Sequence, residues 1–422
     1  MRTLIFITVL IFSLKSYSQP STFSWFNYQS SKPNYISPAK DQGEQDPCAI
    51  FAAVAAIEAL SHIYYNKPFP YNSSCLNLSE AELYSICSGY GRFEGAANAM
   101  ETLNYSAANG IVDDVCFPYP TESSFFRDPC NKCSTPSQKV KVPGCEELFF
   151  SSNQELKRAI INYGPIIVSM QNVGNILHPD KGCPSCGHTV LIVGWDNNLG
   201  WHIKDSWPGD YWIYFNNIDV FDVNRSSKFY RAKFESGGNV ISCTGGDCTT
   251  FSSRSCVDND GDGFYNWGIG AKPSGYGGPC KMDFNDSDPT KIFLDNNYNE
   301  LPTPTITGSD YVCQSGSTFQ LNNLPSGFSV SWQVSPSVYF NSPISGTSTT
   351  ATIYPSTQYA GDECTINYTI SDGCGSANYS KKFTINGPEK SKVSINVVES
   401  YAQPPVLYSE VWLLCPNSSY YI

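Results

Sequence analysis

Histidine is scarce in this chain: four residues in 422, against 17 cysteines. Any proton carrier working near neutral pH must therefore be sought first among His62, His178, His188 and His202. Basic residues are also in deficit, 26 Lys and Arg to 38 Asp and Glu, for a formal net charge of −12 at pH 7. An acidic surface of this kind argues against nucleic acid or an anionic membrane as a partner. Long apolar runs are missing. Leu4 to Leu14 is too short to span a bilayer, and with Arg2 before it and Ser16-Tyr17-Ser18 after it, residues 1–18 read as a signal peptide. No membrane insertion is expected, and the mature chain is expected to be secreted into a compartment that permits disulfides.

What is abundant is cysteine, in an odd number. Pairing all of them within one chain leaves one thiol over. Cys48 stands in the stretch DQGEQDPCAIFAAVAAIEAL, residues 41–60. Nothing from Ala49 to Leu60 breaks a helix, and alanine is the best helix former, so a buried helix is predicted from about Cys48. Pro47 suits the first helical position. A cysteine at that end meets the positive end of the helix dipole, which favours the thiolate. The other reading is half of a disulfide, the usual state of an exported cysteine.

The rest of the first half reads as helices followed by strands. Ser79 is a predicted N-cap with Glu82 completing a capping box; Ala96 to Ala108 and Asn153 to Tyr163 are further predicted helices. Pro165 to Met170, Thr189 to Gly194, Trp201 to Lys204 and Tyr211 to Phe215 are short apolar or β-branched runs between turns, hence strands. That order predicts an α+β domain of two lobes, a helical one and a β one, over residues 20–235. Residues 237–302 are rich in Asp, Gly and Cys and read as a linker. Residues 303–388 alternate like strands, with Trp332 between Cys313 and Cys364/Cys374, which predicts an all-β Ig-like sandwich. Residues 389–422 read as the start of a further β module or a tail.

A thiol nucleophile needs a base, and the base needs an orienting group. His62 is expected beyond the helix end, His178 in a Pro-Asp turn and His202 inside a strand. His188 opens a strand after Cys186-Gly187, where a side chain can face a cleft. Asp205, at the end of the next strand, can accept the imidazole N–H.

At this point the chain resembles the papain-like cysteine peptidases. The pieces that match are Asp41-Gln42-Gly43 before Cys48, Phe51 to Val54 with Ile57-Glu58, Leu78 to Leu83, Asn109-Gly110-Ile111 and Pro118-Tyr119-Pro120. They continue with Gly164 to Val168, His188-Thr189-Val190, Val193-Gly194-Trp195 and Ile203 to Trp207, in the family's order and with its interval between Cys48 and His188. The resemblance implies Cys48 as nucleophile, His188 as base, Asp205 as orienter and Gln42 as oxyanion donor, acting on a peptide or protein substrate without a cofactor. A Gln amide and a backbone N–H are neutral donors that suit a developing oxyanion. Four departures stand out. Gln45 replaces a cysteine, and its partner in a Gly-Cys-x-Gly-Gly stretch is also gone, at Gly91 to Gly95. Ala49 replaces a tryptophan, and Asp205 stands where the family usually has asparagine.

Cys130-x-x-Cys133 and Cys183-x-x-Cys186 could hold zinc, but export favours disulfides. Asp258, Asp260 and Asp262 alternate around Gly261 and Gly263, and a second run holds Asp283, Asn285, Asp286 and Asp288. Such spacing suits oxygen ligands wrapped around a structural Ca2+, the other reading being a solvated acidic linker. Ile269 occupies the place of an EF-hand's last Glu, so the segment resembles a thrombospondin type 3 linker instead, with Cys256 and Cys280 able to close the loop. The sandwich offers no catalytic constellation; its functional reading is adhesion to a surface or glycan partner. Two functions follow. One is a secreted thiol endopeptidase; the alternative is a catalytically silent papain-like shell in an adhesion or surface-binding protein.

Overall fold

The computed structural model describes residues 20–385, apart from 28–32, 44–46, 70–75, 89–97, 121–129, 131, 174–184, 208–211, 216–218, 221–225, 244–250, 252, 295–298, 357–358 and 360. The signal peptide, the terminal module at 389–422, Gln45, Gly91 to Gly95 and Cys183 lie outside the described residues. The chain divides into two units. The first holds residues up to Ser255 with Trp267–Ala271 and Leu294–Glu300; the second holds Cys256–Asn266, Lys272–Phe293 and everything from Leu301 on. Of the segment read as a linker, 256–266 and 272–293 thus fall in the second unit.

The first unit is built on helix α1, Cys48–Tyr65, in which every residue from Ala49 to Ile63 is buried. By length and composition α1 could cross a membrane, with a mean hydropathy of 1.5, which the sequence reading missed; in the fold, 89% of it is buried instead. Six alanines keep it thin enough to be surrounded. Pro47 is the N-cap, one residue earlier than expected, so Cys48 itself opens the helix. The short helix α2, Glu80–Tyr84, has the predicted Ser79 cap, whose Oγ accepts from the Glu82 N–H at 3.0 Å. The capping box is not completed there. The Glu82 carboxylate takes Tyr105 Oη (2.8 Å), the Val112 N–H (2.9 Å) and Lys132 Nζ (2.7 Å) instead. A complete capping box forms at Asn98 and Glu101, opening helix α3, Ala99–Asn109, a start three residues later than predicted. Helix α4, Asn153–Tyr163, has the predicted bounds.

The strands are β1 Thr22–Ser24, β2 Ile111–Val112, β3 Gln138–Lys141, β4 Cys145–Leu148, β5 Ile166–Met170, β6 His188–Asp196, β7 Gly200–Lys204, β8 Trp212–Phe215, β9 Lys228–Ala232 and β10 Asn239–Cys243. Seven make one sheet, in the order β4-β9-β5-β6-β7-β8 with β1 on β6; β10, β3 and β2 make a small second sheet. The β6 strand is buried from His188 to Trp195 and packs against α1. At Gly194 a Cβ would lie 2.2 Å from the Phe23 carbonyl oxygen, so only glycine lets β1 approach.

His62 is not beyond the helix end as expected. The helix runs on to Tyr65, and the ring is 1% exposed, stacked on Phe69 at 3.5 Å and edge-on to Phe251. Burial pulls its pKa down to about 4, and burial does the same to His202 in β7. The unfolded chain takes up these protons near pH 6.5, the folded unit only near 4. Protons therefore favour the unfolded state across that interval, and stability falls as pH drops through it. We expect a loss of roughly 3 kcal/mol per histidine by pH 4. Thermal melts at pH 7 and pH 4.5 check this, with His62→Phe flattening the dependence.

In the second unit, a four-stranded sheet orders Thr305–Thr307, Ser317–Asn322, Thr350–Pro355 and Phe340–Asn341. A five-stranded sheet orders Tyr311–Val312, Ser376–Ile385, Glu363–Ser371, Ser329–Ser335 and Ser345–Gly346. Phe319, Leu321, Ala351 and Ile353 of the first share one core with Trp332, Ile366, Tyr368 and Phe383 of the second. Burial alternates along Glu363–Ser371, as a strand with one face inward requires. The disulfide expected of an immunoglobulin-type core is not formed through Cys364, which is buried as a thiol. Cys374 pairs with Cys280, so Cys280 does not take up the possible closure with Cys256.

Candidate active site and acidic cluster

Cys48 at the start of α1 and His188 at the start of β6 face each other because α1 lies along β6. The Cys48 thiol is outside any disulfide, and the His188 side chain and then Thr189 are the neighbours that act on it. Asp205 follows β7, and its Oδ1 lies 2.8 Å from His188 Nε2. With Nε2 held by the carboxylate, Nδ1 is the ring nitrogen left for sulfur. His188 is 7% exposed and Asp205 3%, so these charges act through little water. Burial alone would lower the His188 pKa; the Asp205 charge and hydrogen bond, then Cys48, push it up to about 10. Burial alone would raise the Cys48 thiol; His188 and then Thr189 overcome it and hold the thiol below the ordinary cysteine range. The two groups together favour a thiolate–imidazolium pair.

Gln42 is buried in the same place and tied down from several sides. Its N–H donates to the Ser206 carbonyl at 2.9 Å, and its own carbonyl accepts from Tyr119 Oη at 2.9 Å. The Ser206 hydroxyl donates to Gln42 Oε1 at 2.6 Å, which fixes which end of the amide is the acceptor. The Ser206 N–H also donates to Asp205 Oδ1 at 2.7 Å, so one residue holds both Gln42 and Asp205. The sequence reading assigned no role to Ser206, Thr189 or Tyr119. Ser206 and Thr189 adjoin Asp205 and His188 in sequence, and that adjacency was the available signal.

Cys130, Cys133 and Cys186 are in disulfides rather than free to ligate zinc. Cys87 bonds Cys130 and Cys116 bonds Cys133, and Cys186 is also disulfide-bonded.

Residues 19–217 match the papain family of cysteine proteases. Among curated relatives, a viral cathepsin of Adoxophyes honmai nucleopolyhedrovirus is 27% identical over 203 residues, 46% of this chain and 54% of the relative. Cathepsin K of Mus musculus is 27% identical over 194 residues, 43% of this chain and 55% of the relative. The chain thus spans about half the length of the curated relatives it matches. A solved structure of the bromelain protease from Ananas comosus is 18% identical, covers 51% of this chain and 99% of its own, and has a TM-score of 0.39. The match to the papain family covers the region of helices followed by strands that is read as a two-lobed α+β domain.

The acidic residues of the second unit form a different kind of site. Carboxylate oxygens of Asp258, Asp260 and Asp262 lie within 4.8 Å of one another, and so do those of Asp260, Asp283 and Asp286. In three of these residues one oxygen serves the loop. Asp260 Oδ1 accepts from the Asp262 N–H, Asp262 Oδ1 from Phe264 and Asp283 Oδ1 from Asn285. The other oxygens, Oδ2 of Asp260, Asp262 and Asp283, are buried with no hydrogen-bond partner, and Asp283 is 0% exposed. Burial, and then the neighbouring carboxylates Asp262, Asp260 and Asp286, push the Asp283 pKa up to about 9. Asp288 is outside both groups, its Oδ1 held by Thr290, and Asn285 Oδ1 accepts from the Ser287 hydroxyl.

Proposed function

We propose that the chain is a secreted thiol endopeptidase of papain type. The observation that carries this is a thiol, outside any disulfide, acted on by an imidazole whose Nε2 lies 2.8 Å from a buried carboxylate. In the proposed cycle the Cys48 thiolate attacks a peptide carbonyl carbon. Gln42 and the Cys48 N–H receive the oxyanion. The C–N bond breaks as imidazolium His188 gives its proton to the leaving amine, and a thioester remains. Water then attacks the thioester, His188 takes the proton, and sulfur leaves. Asp205 keeps the ring turned to sulfur throughout. Disulfides at Cys87–Cys130 and Cys116–Cys133 fit an extracellular setting, which supports secretion.

In the second unit we assign the acidic cluster to a structural Ca2+. The donors are hard oxygens, and three buried carboxylate oxygens without protein donors suit a divalent cation. Asp258, Asp260, Asp262, Asp283 and Asp286 would hold it, as charge compensation and not as catalysis. The β-strands that follow serve, in this reading, as an Ig-like module for a surface or glycan partner.

Iodoacetamide at pH 5.5 tests the peptidase reading. A thiolate held by imidazolium is expected to be carboxamidomethylated at Cys48 first and stoichiometrically, at least about 100-fold faster than an ordinary thiol at that pH. Peptide mapping after limited labelling locates the adduct. Labelling that spreads evenly over other thiols would leave the silent shell as the reading.

A further inference from the structure

Four charged side chains lie behind the candidate site and take no part in the cycle above. Glu58 is on α1, Glu80 opens α2, Lys204 ends β7, and Lys40 precedes the segment that bears Gln42. Glu58 and Glu80 are 0% and 2% exposed and Lys204 5%. Lys40 Nζ donates to Glu58 Oε1 at 3.0 Å, Glu80 Oε1 at 2.8 Å and the Leu78 carbonyl at 2.7 Å. Lys204 Nζ donates to Ser37 Oγ at 2.8 Å, and the Ser37 hydroxyl donates onward to Glu58 Oε2. Glu58 Oε1 also accepts the Leu78 N–H at 2.7 Å. Two basic and two acidic side chains are joined, and the bonds form one connected set.

The connections follow the catalytic segments. Cys48 shares α1 with Glu58. Gln42 is two residues from Lys40. Asp205 is the residue after Lys204. A small cavity lies between the cluster and the site, lined among others by Lys40, Glu80, Thr189, Lys204, Asp205 and Ser206. Burying an ion pair is rarely a net source of stability, and apolar residues of equal volume often serve as well. A set of directional bonds does what apolar packing does not: it fixes three segments at one register.

We propose that the Lys40–Glu58–Glu80–Lys204 cluster, with Ser37, is a positioning device that locks the segments bearing Gln42, Cys48 and Asp205 to one another. The inference rests on the peptidase reading above. Its members are positioning residues and touch no substrate.

The test uses the full mature chain, a fluorogenic peptide and active-site titration with iodoacetamide, so that rates refer to folded, titratable sites. Glu58→Gln keeps the shape and removes one charge; kcat is expected to fall 10- to 100-fold while KM changes less than twofold. Lys204→Met is expected to act likewise. The double variant, in which the remaining charges again balance, should recover part of the loss. Ser37→Ala changes no charge and cuts the Lys204–Glu58 relay; a three- to tenfold loss in kcat is expected, and this variant keeps the test alive if Glu58→Gln does not fold. Wild-type kcat per titrated site in Ser37→Ala and in either folded charge variant would overturn the proposal while leaving the peptidase reading intact. A wild-type chain in which Cys48 is neither titrated nor active would overturn both.

Discussion

Cys48→Ala is expected to cut peptide hydrolysis by at least about 10⁴-fold, because no other group can form the thioester on which the second half of the cycle depends. His188→Ala should cost nearly as much, for a separable reason. The thiol is held below its ordinary range by His188 against a burial effect of opposite sign. Without the imidazole, burial wins, and the thiolate appears only above the usual cysteine range. The alkylation rate of this variant at pH 5.5 should therefore fall by about 100-fold and recover on raising the pH. Groups that act as one unit are not additive, so Cys48→Ala/His188→Ala should be no slower than the worse single variant. The pH profile of kcat/KM reports the pair: an acid limb where the thiolate is lost and an alkaline limb as pH approaches the imidazolium value of about 10. Steady-state kinetics on the single and double variants, with labelling rates across pH, decide the matter. Residual hydrolysis in Cys48→Ala above one-tenth of wild type would remove sulfur from the mechanism.

The second large effect concerns the acidic cluster. Calcium at a hundred times its Kd adds about 2.7 kcal/mol to the unit that binds it. For a unit of this size the melting temperature should rise on the order of 10 °C between EGTA and calcium. Asp283→Asn discriminates the cause. Asp283 is wholly buried, with Oδ2 lacking any donor. Amidation should abolish the calcium-dependent rise without lowering the melting temperature in EGTA, because it removes an uncompensated carboxylate. Phe264, 0% exposed and next to the loop that carries Asp262, packs on Phe293 and Phe328 in the β core. The rise should therefore appear in the melt of the β core. Calorimetry on the whole chain with calcium, magnesium and EGTA gives the answer. Equal melting temperatures in calcium and EGTA would end the metal assignment.

The residues most legible in sequence were those whose local chemistry is also their global role. Alanine-rich α1 and the strand opening at His188 were both evident, because helix propensity and strand pattern agreed with the tertiary packing. Asn153–Tyr163 had its bounds because its cap, Ser152, satisfies the Glu155 N–H and Gly164 stops it. The capping box was misplaced because Glu82 has a second suitor: a buried carboxylate among Tyr105, Val112 and Lys132 gains more there than at a helix end. His62 is expected outside the helix because the alanine-rich run ends at Leu60, whereas Phe69, seven residues on, and Phe251, from a remote part of the chain, cover that last turn. Disulfide partners were not readable, since the spacing Cys130-x-x-Cys133 is compatible with many pairings and only the fold brings Cys87 and Cys116 to them. The same holds for Ser37 and Ser206, whose importance lies in what they reach across space.

The thinness of α1 has one more implication. Ala53, Ala56 and Ala59 are 0% exposed, so no slack surrounds the rod on which the sulfur is mounted. A displacement of about 1 Å between reacting groups can slow a reaction 100-fold. Enlarging any of these small side chains would act as a shim, spreading the cleft from within. Genetic drift at such sites would then be felt as sluggish turnover together with a lower melting temperature, since overpacking a buried site also destabilises the fold.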